Sequence, residues 1–248
     1  MDLAKELGVQ SFCFREFKDN QEVVEKVKAC GLDRIELCGV HADFEDESTF
    51  QSVIDVYKEG GVEIVSIGVQ PFGNDPEREE KFFRFARMAG CRFISADFAL
   101  NAIPDAFRTA ERLAERYDIH LAIHNHGGGH WLGTSAMLEH VFKQTNERIG
   151  LSLDTAWAID ARQDPVEMAR RFGDRLYGIH VKDFTYRPDR TPEDVVAGEG
   201  LLDLEGLLAA VKSLPFQGYA VLEYEGDADN PVPPIQRCVE AVRTAWAG

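Results

Sequence analysis

Side chains that could bind a metal ion lie at the ends of four apolar segments in the second half of the chain. These ends carry His124, Asn125 and His126, then Asp154, then His180, Lys182 and Asp183, and finally Glu223 and Glu225. Imidazole and carboxylate groups with no thiolate nearby suit Mn²⁺, Mg²⁺, Co²⁺ or Zn²⁺, and leave coordination positions open for substrate oxygens. We therefore expect one divalent metal ion per chain.

Residues two apart on a strand point to the same side, so each of these ends offers two candidates. Only a side chain that points inward near the strand end can reach a central ion. The sequence leaves the choice open within three pairs, which are His124 and His126, His180 and Lys182, and Glu223 and Glu225.

Eight short apolar segments alternate with stretches of helical character along the whole chain. We predict strands at 9–14, 34–38, 63–69, 92–98, 120–126, 149–156, 176–183 and 219–225. Their dense apolar character suits strands that are covered on both faces. Eight such units predict an α/β fold, a (β/α)8 TIM barrel with residues 1–248 as a single domain. An open doubly wound sheet is the alternative, but no G-x-G-x-x-G follows the first strand.

The composition excludes several kinds of partner. A formal net charge of −16 repels phosphate backbones and anionic lipid, so we expect neither nucleic acid nor a membrane as a partner. Five cysteines without a C-x-x-C pair and an acidic, mixed N-terminal stretch predict a cytoplasmic protein. The oligomeric state stays open, a homo-oligomer included.

One long connection, residues 184–202, follows the seventh predicted strand. A loop longer than about 12–15 residues more often has a function than not, so we expect a lid over the barrel mouth. Arg187 or Arg190 within it could contact an anionic or hydroxyl-rich substrate. The alternative is an ordered surface excursion.

Several motifs together resemble one known family. They are H-N-H at 124–126, L-D-T-A-W at 153–157, G-I-H-V-K-D-F at 178–184, G-E-G-x-x-D at 198–203 and L-E-Y-E at 222–225, with I-E-L at 35–37 as a weaker match. The pattern resembles the xylose isomerase-like TIM barrels, which include sugar phosphate isomerases/epimerases, ketose 3-epimerases, inosose dehydratases and endonuclease IV. The resemblance covers roughly residues 9–245 and is most specific in the second half.

The resemblance implies a metal site made of a fifth-strand Glu, a sixth-strand Asp, a seventh-strand His and an eighth-strand Glu. Matching motifs place the last three on Asp154, His180 and Glu223. His124 stands where the family has its fifth-strand Glu, and Trp157 stands where the family has a substrate-contacting His. These departures weaken an epimerisation that uses two carboxylates on opposite faces of the sugar carbon.

The resemblance implies, as the leading function, a sugar or keto-sugar isomerase/epimerase. The ion would stabilise an enediolate while Glu223 or Glu225 moves the α-proton. A keto-sugar dehydratase or keto-glycoside lyase with the same enediolate is the strong alternative. A metal-dependent phosphodiester hydrolase is a remote one because of the charge, and a sugar-binding module without catalysis is the third class.

The remaining candidates have a structural interpretation beside the functional one. His130 follows a glycine run that could place it over the mouth, where it would contact substrate or take part in catalysis. Lys182 and Asp183 could bind substrate or form a surface ion pair, and Lys182 could also take part in catalysis. Glu36 is a polar group at the second strand's mouth that could contact substrate. Asp154 could also cap the following turn.

Overall fold

Parallel strands close into a barrel in the computed structural model, which describes residues 2–248. The barrel strands are β1 (Leu7–Gln10), β2 (Arg34–Leu37), β3 (Glu63–Phe72), β4 (Phe93–Phe98), β5 (His120–His124), β6 (Ile149–Asp154), β7 (Leu176–Val181) and β10 (Tyr219–Leu222). Each strand pairs in parallel with its neighbours, and β1 closes the ring between β2 and β10. The predicted TIM barrel is confirmed.

Helices cover the outside of this barrel. They are α1 (Leu3–Glu6), α2 (Asn20–Ala29), α3 (Phe50–Glu59), α4 (Pro76–Ala89), α5 (Asp105–Tyr117), α6 (Ser135–Phe142), α7 (Thr155–Asp160), α8 (Pro165–Arg171), α9 (Leu204–Ser213) and α10 (Val232–Ala247). The Asp-Pro pairs start α4 and α8 because Asp75 and Asp164 accept backbone N–H bonds of the first turn and a proline follows each cap.

The side chains that point into the barrel show which residues face the mouth. The Phe93 and Tyr219 rings lie 5.6 Å apart although β4 and β10 are not neighbouring strands, so both rings point inward. They form a buried cluster with Ala122 and Val221. Because every second residue shares a face, the next inward positions toward the mouth on β5 and after β10 are His124 and Glu223.

Some predicted strand boundaries were wrong. The strand predicted at 9–14 is β1 at Leu7–Gln10, followed by a 3-10 helix at Ser11–Phe14. That helix forms because the Gln10 side chain accepts the Phe12 backbone N–H at 3.1 Å. Predicted strands five to eight end too late, because the polar residues at the mouth leave the hydrogen-bonded ladder. Residues 155 and 156, for example, begin α7.

The long connection contains a small antiparallel hairpin that the sequence did not reveal. Strand β8 (Asp183–Tyr186) pairs with β9 (Pro192–Val195), and we call this unit the hairpin. Its second strand returns to the barrel mouth, where Asp194 Oδ1 accepts the Glu225 backbone N–H at 3.1 Å.

Within residues 2–248, no helix combines the length and the apolar character needed to cross a membrane.

Candidate metal and active site

Four ligand-type side chains meet at the mouth, and we call them the four-residue cluster: His124, Asp154, His180 and Glu223. One possible ligand atom from each lies within 4.8 Å of the others. His124 Nε2 is 3.2 Å from His180 Nδ1, 3.5 Å from Asp154 Oδ2 and 4.0 Å from Glu223 Oε2. Three members are buried and Glu223 is 11% exposed, so the cluster is open only toward the mouth.

The geometry of this cluster fits one divalent ion. Two ligands about 2.1 Å from a tetrahedral ion lie about 3.4 Å apart, and the three distances from His124 Nε2 bracket that value. Asp154 Oδ2 is buried and has no hydrogen-bond partner within residues 2–248. A buried carboxylate oxygen without a donor is costly unless a cation binds it. Two carboxylates and two neutral imidazoles would also balance a dication.

Asp154 combines the two roles that the sequence left open. Its Oδ1 accepts the Trp157 backbone N–H at 2.8 Å and caps α7, while Oδ2 remains free for an ion. Asn125 locks this arrangement, because its side chain accepts from the Asp154 N–H at 2.8 Å and donates to the Asp154 carbonyl at 3.0 Å. The middle residue of the H-N-H motif therefore joins the ends of β5 and β6.

The T of the L-D-T motif has a similar positioning role that sequence reasoning missed. Thr155 Oγ1 donates to the Lys182 carbonyl at 2.5 Å, with the His180 carbonyl 3.2 Å away, and accepts the Lys182 N–H at 2.9 Å. These bonds fix the end of β7 relative to the end of β6. The seventh-strand ligand is thereby held beside Asp154.

Glu36 lies behind His180, completely buried. His180 Nε2 is 2.9 Å from Glu36 Oε1, and the Gln10 amide donates to the same oxygen at 2.6 Å. Burial acts to lower the pKa of His180, but the Glu36 and Glu223 carboxylates outweigh it and raise that pKa to about 10. Burial likewise acts to raise the pKa of Glu36, yet the His180 ring keeps it below its ordinary value. Glu36 is placed to orient His180, and a contact between Glu36 and a substrate stays a prediction.

In this structure His180 donates to Glu223. His180 Nδ1 and Glu223 Oε2 are 2.6 Å apart, which is closer than two ligands of one ion would lie. Binding an ion therefore requires the His180 proton to leave and the two atoms to separate by about 0.8 Å, from 2.6 Å to about 3.4 Å. The same two atoms would then be ligands.

Lys182 lies next to the cluster and is only 1% exposed. Its Nζ contacts Glu225, lies 3.4 Å from Glu223 Oε1 and lies 3.9 Å from Asp194 Oδ1 on the hairpin. Burial acts to lower the pKa of Lys182, but the surrounding carboxylates raise it above its ordinary value. Burial acts to raise the pKa of Glu223, but Lys182 and His180 hold it well below its ordinary value. Lys182 is thus a charged, buried group that keeps Glu223 ionised.

His126 belongs to a second group, which we call the three-residue cluster: Asp97, His126 and His130. Possible ligand atoms from these side chains also lie within 4.8 Å of one another. The two fifth-strand histidines are therefore divided, with His124 in the first cluster and His126 in the second. Sequence reasoning missed Asp97, although it shares the inward face of β4 with Phe93 and is the last but one residue of that strand.

Two predicted substrate residues have other partners. Asp183 is 1% exposed, and its two oxygens accept the backbone N–H groups of Gly198, Gly200, Leu201 and Leu202 at 2.8–2.9 Å. With both oxygens engaged, Asp183 anchors this loop, and its contact with a substrate stays a prediction. Arg187 is 57% exposed and pairs with Glu193 across the hairpin rather than with either cluster.

Trp157 forms part of a wall beside Lys182. Its ring meets the Phe184 ring edge to face at 5.1 Å, and the Lys182 Nζ lies 5.6 Å from the Trp157 ring centroid. Contact between Trp157 and a substrate stays a prediction.

The comparison with protein families gives the same assignment as the geometry. A model described as xylose isomerase-like TIM barrel matches residues 24–245. The chain belongs to this family.

Similar proteins share the fold or part of the sequence. The rhizopine catabolism protein MocC of Rhizobium meliloti is 27% identical over 138 residues, which are 50% of this chain and 42% of that protein. Inosose dehydratase 1 of Bacillus cereus is 22% identical over 142 residues, 51% of this chain and 47% of the relative. The chain thus matches these curated relatives over less than half of their length.

A solved structure extends the likeness in fold to nearly the whole chain. The crystal structure of IolI protein with a bound zinc atom superposes with a TM-score of 0.76 and covers 98% of each chain at 16% identity. At this identity the likeness concerns the fold alone.

Proposed function

We propose that this protein is a metal-dependent enzyme that removes the proton next to the carbonyl of a keto sugar or keto-cyclitol. The observation that carries the proposal is the four-residue cluster, with its unpartnered Asp154 oxygen among the described residues and with Lys182 and Glu225 beside it. A divalent ion bound there would have to expand beyond these four ligands to bind the substrate carbonyl. It would then act as a Lewis acid and stabilise the negative charge that develops as the α-proton leaves.

Glu223 is the group that we propose takes the proton. Its Oε2 faces the other cluster ligands, whereas its Oε1 faces Lys182 at 3.4 Å. A carboxylate held this way is ionised at neutral pH and lies at the edge of the mouth. Glu225 is 28% exposed and pairs with Lys182, so we assign it to holding the lysine in place. Of the two eighth-strand glutamates, Glu223 is therefore the base and Glu225 its support.

Elimination is the outcome that we favour. His124 occupies the fifth-strand position, and the only other carboxylate of the four-residue cluster, Asp154, has one oxygen engaged in capping α7. We therefore assign no carboxylate to proton exchange on the opposite face of the substrate. In the elimination, Glu223 takes the α-proton and the C–H electron pair forms a C=C bond as the C–O bond to the β-hydroxyl breaks. The hydroxyl leaves as water with the proton that Glu223 took, which restores the carboxylate. The sequence similarity to inosose dehydratases supports this outcome.

Epimerisation is the second candidate, and one observation favours it. The His126 ring lies 4.5 Å from the His124 ring, across the barrel mouth from the Glu223 strand. Burial, together with the neighbouring His124 and His130 rings, lowers the pKa of His126 to about 3, so this imidazole is neutral at pH 7 and could take a proton from the other face of the same carbon but not supply one.

Solvent deuterium uptake tests the proposal. The protein would be incubated with Mn²⁺, D₂O and a panel of keto sugars and inososes, and the products would be followed by NMR and mass spectrometry. Elimination gives a product lighter by one water, with deuterium at the carbon that lost the hydroxyl once the enol tautomerises. Epimerisation gives deuterium at the α-carbon with no loss of water.

Variants assign the base. We expect Glu223→Gln to slow the reaction at least ~10²-fold per bound ion, the usual effect of losing a general base. Glu225→Gln should slow it less than about 10-fold, and the exposed Glu199→Gln should have no effect. Metal content measured in the same samples separates loss of the ion from loss of the base. Turnover without deuterium uptake, with Glu223→Gln fully active, would contradict the proposal.

A further inference from the structure

We propose that the three-residue cluster of Asp97, His126 and His130 is a second divalent-cation site, distinct from the four-residue cluster. The inference goes beyond the proposed function and does not depend on it. It rests on the spacing of the three side chains, on their unsatisfied polar atoms and on the loop that brings them together.

The three side chains are spaced like ligands of one metal ion. His130 Nε2 and Asp97 Oδ1 lie 3.5 Å apart, too far for a good hydrogen bond but close to the ~3.4 Å that separates two ligands of one tetrahedral ion. The His126 and His130 ring centroids lie 5.1 Å apart, and a possible ligand atom of each residue lies within 4.8 Å of the others. The three side chains surround a point without bonding to one another.

Two of the polar atoms are buried without a partner. Asp97 Oδ1 and His126 Nδ1 have no hydrogen-bond partner in the part of the chain that is described, residues 2–248. His130 Nδ1 accepts the Leu132 backbone N–H at 3.3 Å, so in this structure the ring proton is on Nε2, which faces Asp97. Binding an ion through Nε2 requires that proton to leave. Buried polar atoms are nearly always satisfied, so two orphans in one group of three point to a bound partner.

The backbone between the two histidines is built to bring them together. A glycine loop, residues 127–129, turns the chain back, with φ of 62° at Gly128 and 81° at Gly129. These left-handed values favour glycine. The Gly128 N–H donates to Asp160 Oδ2 at 2.6 Å, which ties the loop to the end of α7. Because this loop is anchored, His130 is held beside His126 and does not merely sample that position.

The donor set indicates the kind of ion. Two imidazoles and one carboxylate suit Zn²⁺, Co²⁺ or Mn²⁺, and three protein ligands leave at least one position open. Asp97 is 35% exposed and His130 29%, whereas the first cluster is nearly closed to solvent. We therefore expect the second ion to bind more weakly and to exchange with solution.

The experiment measures bound metal rather than activity. Metal-free protein would be dialysed against increasing Zn²⁺, and the ions bound per chain would be counted by mass spectrometry of the metal. The wild type should bind a tight ion and then a weaker one. Asp97→Asn and His130→Gln should lose the weaker ion and keep the tighter one, while His140→Gln, an exposed histidine on α6, should keep both.

The design separates this proposal from the proposed function. Asp154→Asn should lose the tight ion and keep the weaker one. If it instead keeps both, the assignment of the four-residue cluster fails while the second site stands. A wild type that never binds more than one ion would overturn the second site without need of any variant. So would two ions that both remain in Asp97→Asn and His130→Gln, provided that circular dichroism shows both variants folded.

Discussion

Replacing Lys182 with methionine should destabilise the metal-free protein strongly. Lys182 Nζ is the cation among Glu223, Glu225 and Asp194, and its side chain is only 1% exposed. Methionine keeps much of the volume but removes the charge, which leaves the carboxylates uncompensated. Removing one partner of a buried ion pair costs about 3–5 kcal/mol, and the partial exposure of Glu225 favours the lower end, about 3 kcal/mol.

For a chain of this size, that free energy corresponds to a fall in Tm of about 6–12 °C. Thermal unfolding followed by circular dichroism in the presence of a chelator measures it. Lys143→Met is the matched control, because Lys143 is 71% exposed in its pair with Glu139 and should cost less than about 1 kcal/mol. Saturating Mn²⁺ should reduce the difference in Tm between Lys182→Met and the wild type, since an ion beside Glu223 replaces part of the lost positive charge.

Lower pH should also reduce the difference in Tm between Lys182→Met and the wild type. Burial raises the pKa of Asp194 to about 6, while Lys182 acts to lower it. A carboxyl group whose pKa is raised on folding stabilises the protein at low pH, and this contribution is lost as pH rises from about 4 to 6. Protonating Asp194 at pH 5 removes one uncompensated charge from Lys182→Met. A Tm for this variant equal to that of Lys143→Met at pH 8 would refute the description of a buried cation.

Three further predictions follow from individual contacts. At pH 8, Mn²⁺ binding should release about one proton, because the pKa of His180 is about 10 without metal and a ligand imidazole is neutral. The affinity for Mn²⁺ should therefore rise with pH up to that value. Calorimetry in buffers of different ionisation enthalpy measures the proton release, and finding none would contradict the prediction. Asp160→Ala should speed amide hydrogen exchange in both the glycine loop and the hairpin. Asp160 accepts the Gly128 N–H of the loop and the Tyr186 hydroxyl of the hairpin, the latter at 3.0 Å. If exchange is faster in neither segment, Asp160 does not hold the two together. Asp183→Asn should lower the free energy of unfolding by at least ~2 kcal/mol, since two buried loop N–H groups lose their acceptor. The control, Asp189→Asn at an exposed residue, should change it by less than ~1 kcal/mol. Equal melting temperatures for the two variants would refute the anchoring role.

The barrel and the grouping of ligand-type side chains at its mouth could be predicted because both follow from short-range patterns. Apolar segments that alternate with helices predict the (β/α)8 order, and polar residues at strand ends predict the mouth. The period of two correctly indicated that His124 and His126 share a face. It could not divide them between two clusters, because that depends on how far β5 extends beyond its neighbours.

Other features required contacts that no local pattern encodes. Asp183 is a polar residue beside Lys182 in the sequence, yet four loop N–H groups from 198–202 surround it in the fold. Asn125 and Thr155 are small polar residues whose side chains form hydrogen bonds to the backbone at the end of the neighbouring strand. Asp97 could have been predicted from the sequence. The alternation that places Phe93 inside the barrel also places Asp97 on the same face, near the end of β4.

The central claim, that the four-residue cluster binds a divalent ion, is tested most directly by anomalous diffraction from crystals soaked in Mn²⁺ or Zn²⁺. We expect an anomalous peak about 2.0–2.3 Å from His124 Nε2, Asp154 Oδ2, His180 Nδ1 and Glu223 Oε2. A soaked crystal with no peak among these four atoms, or with its strongest peak elsewhere on the chain, would contradict the claim.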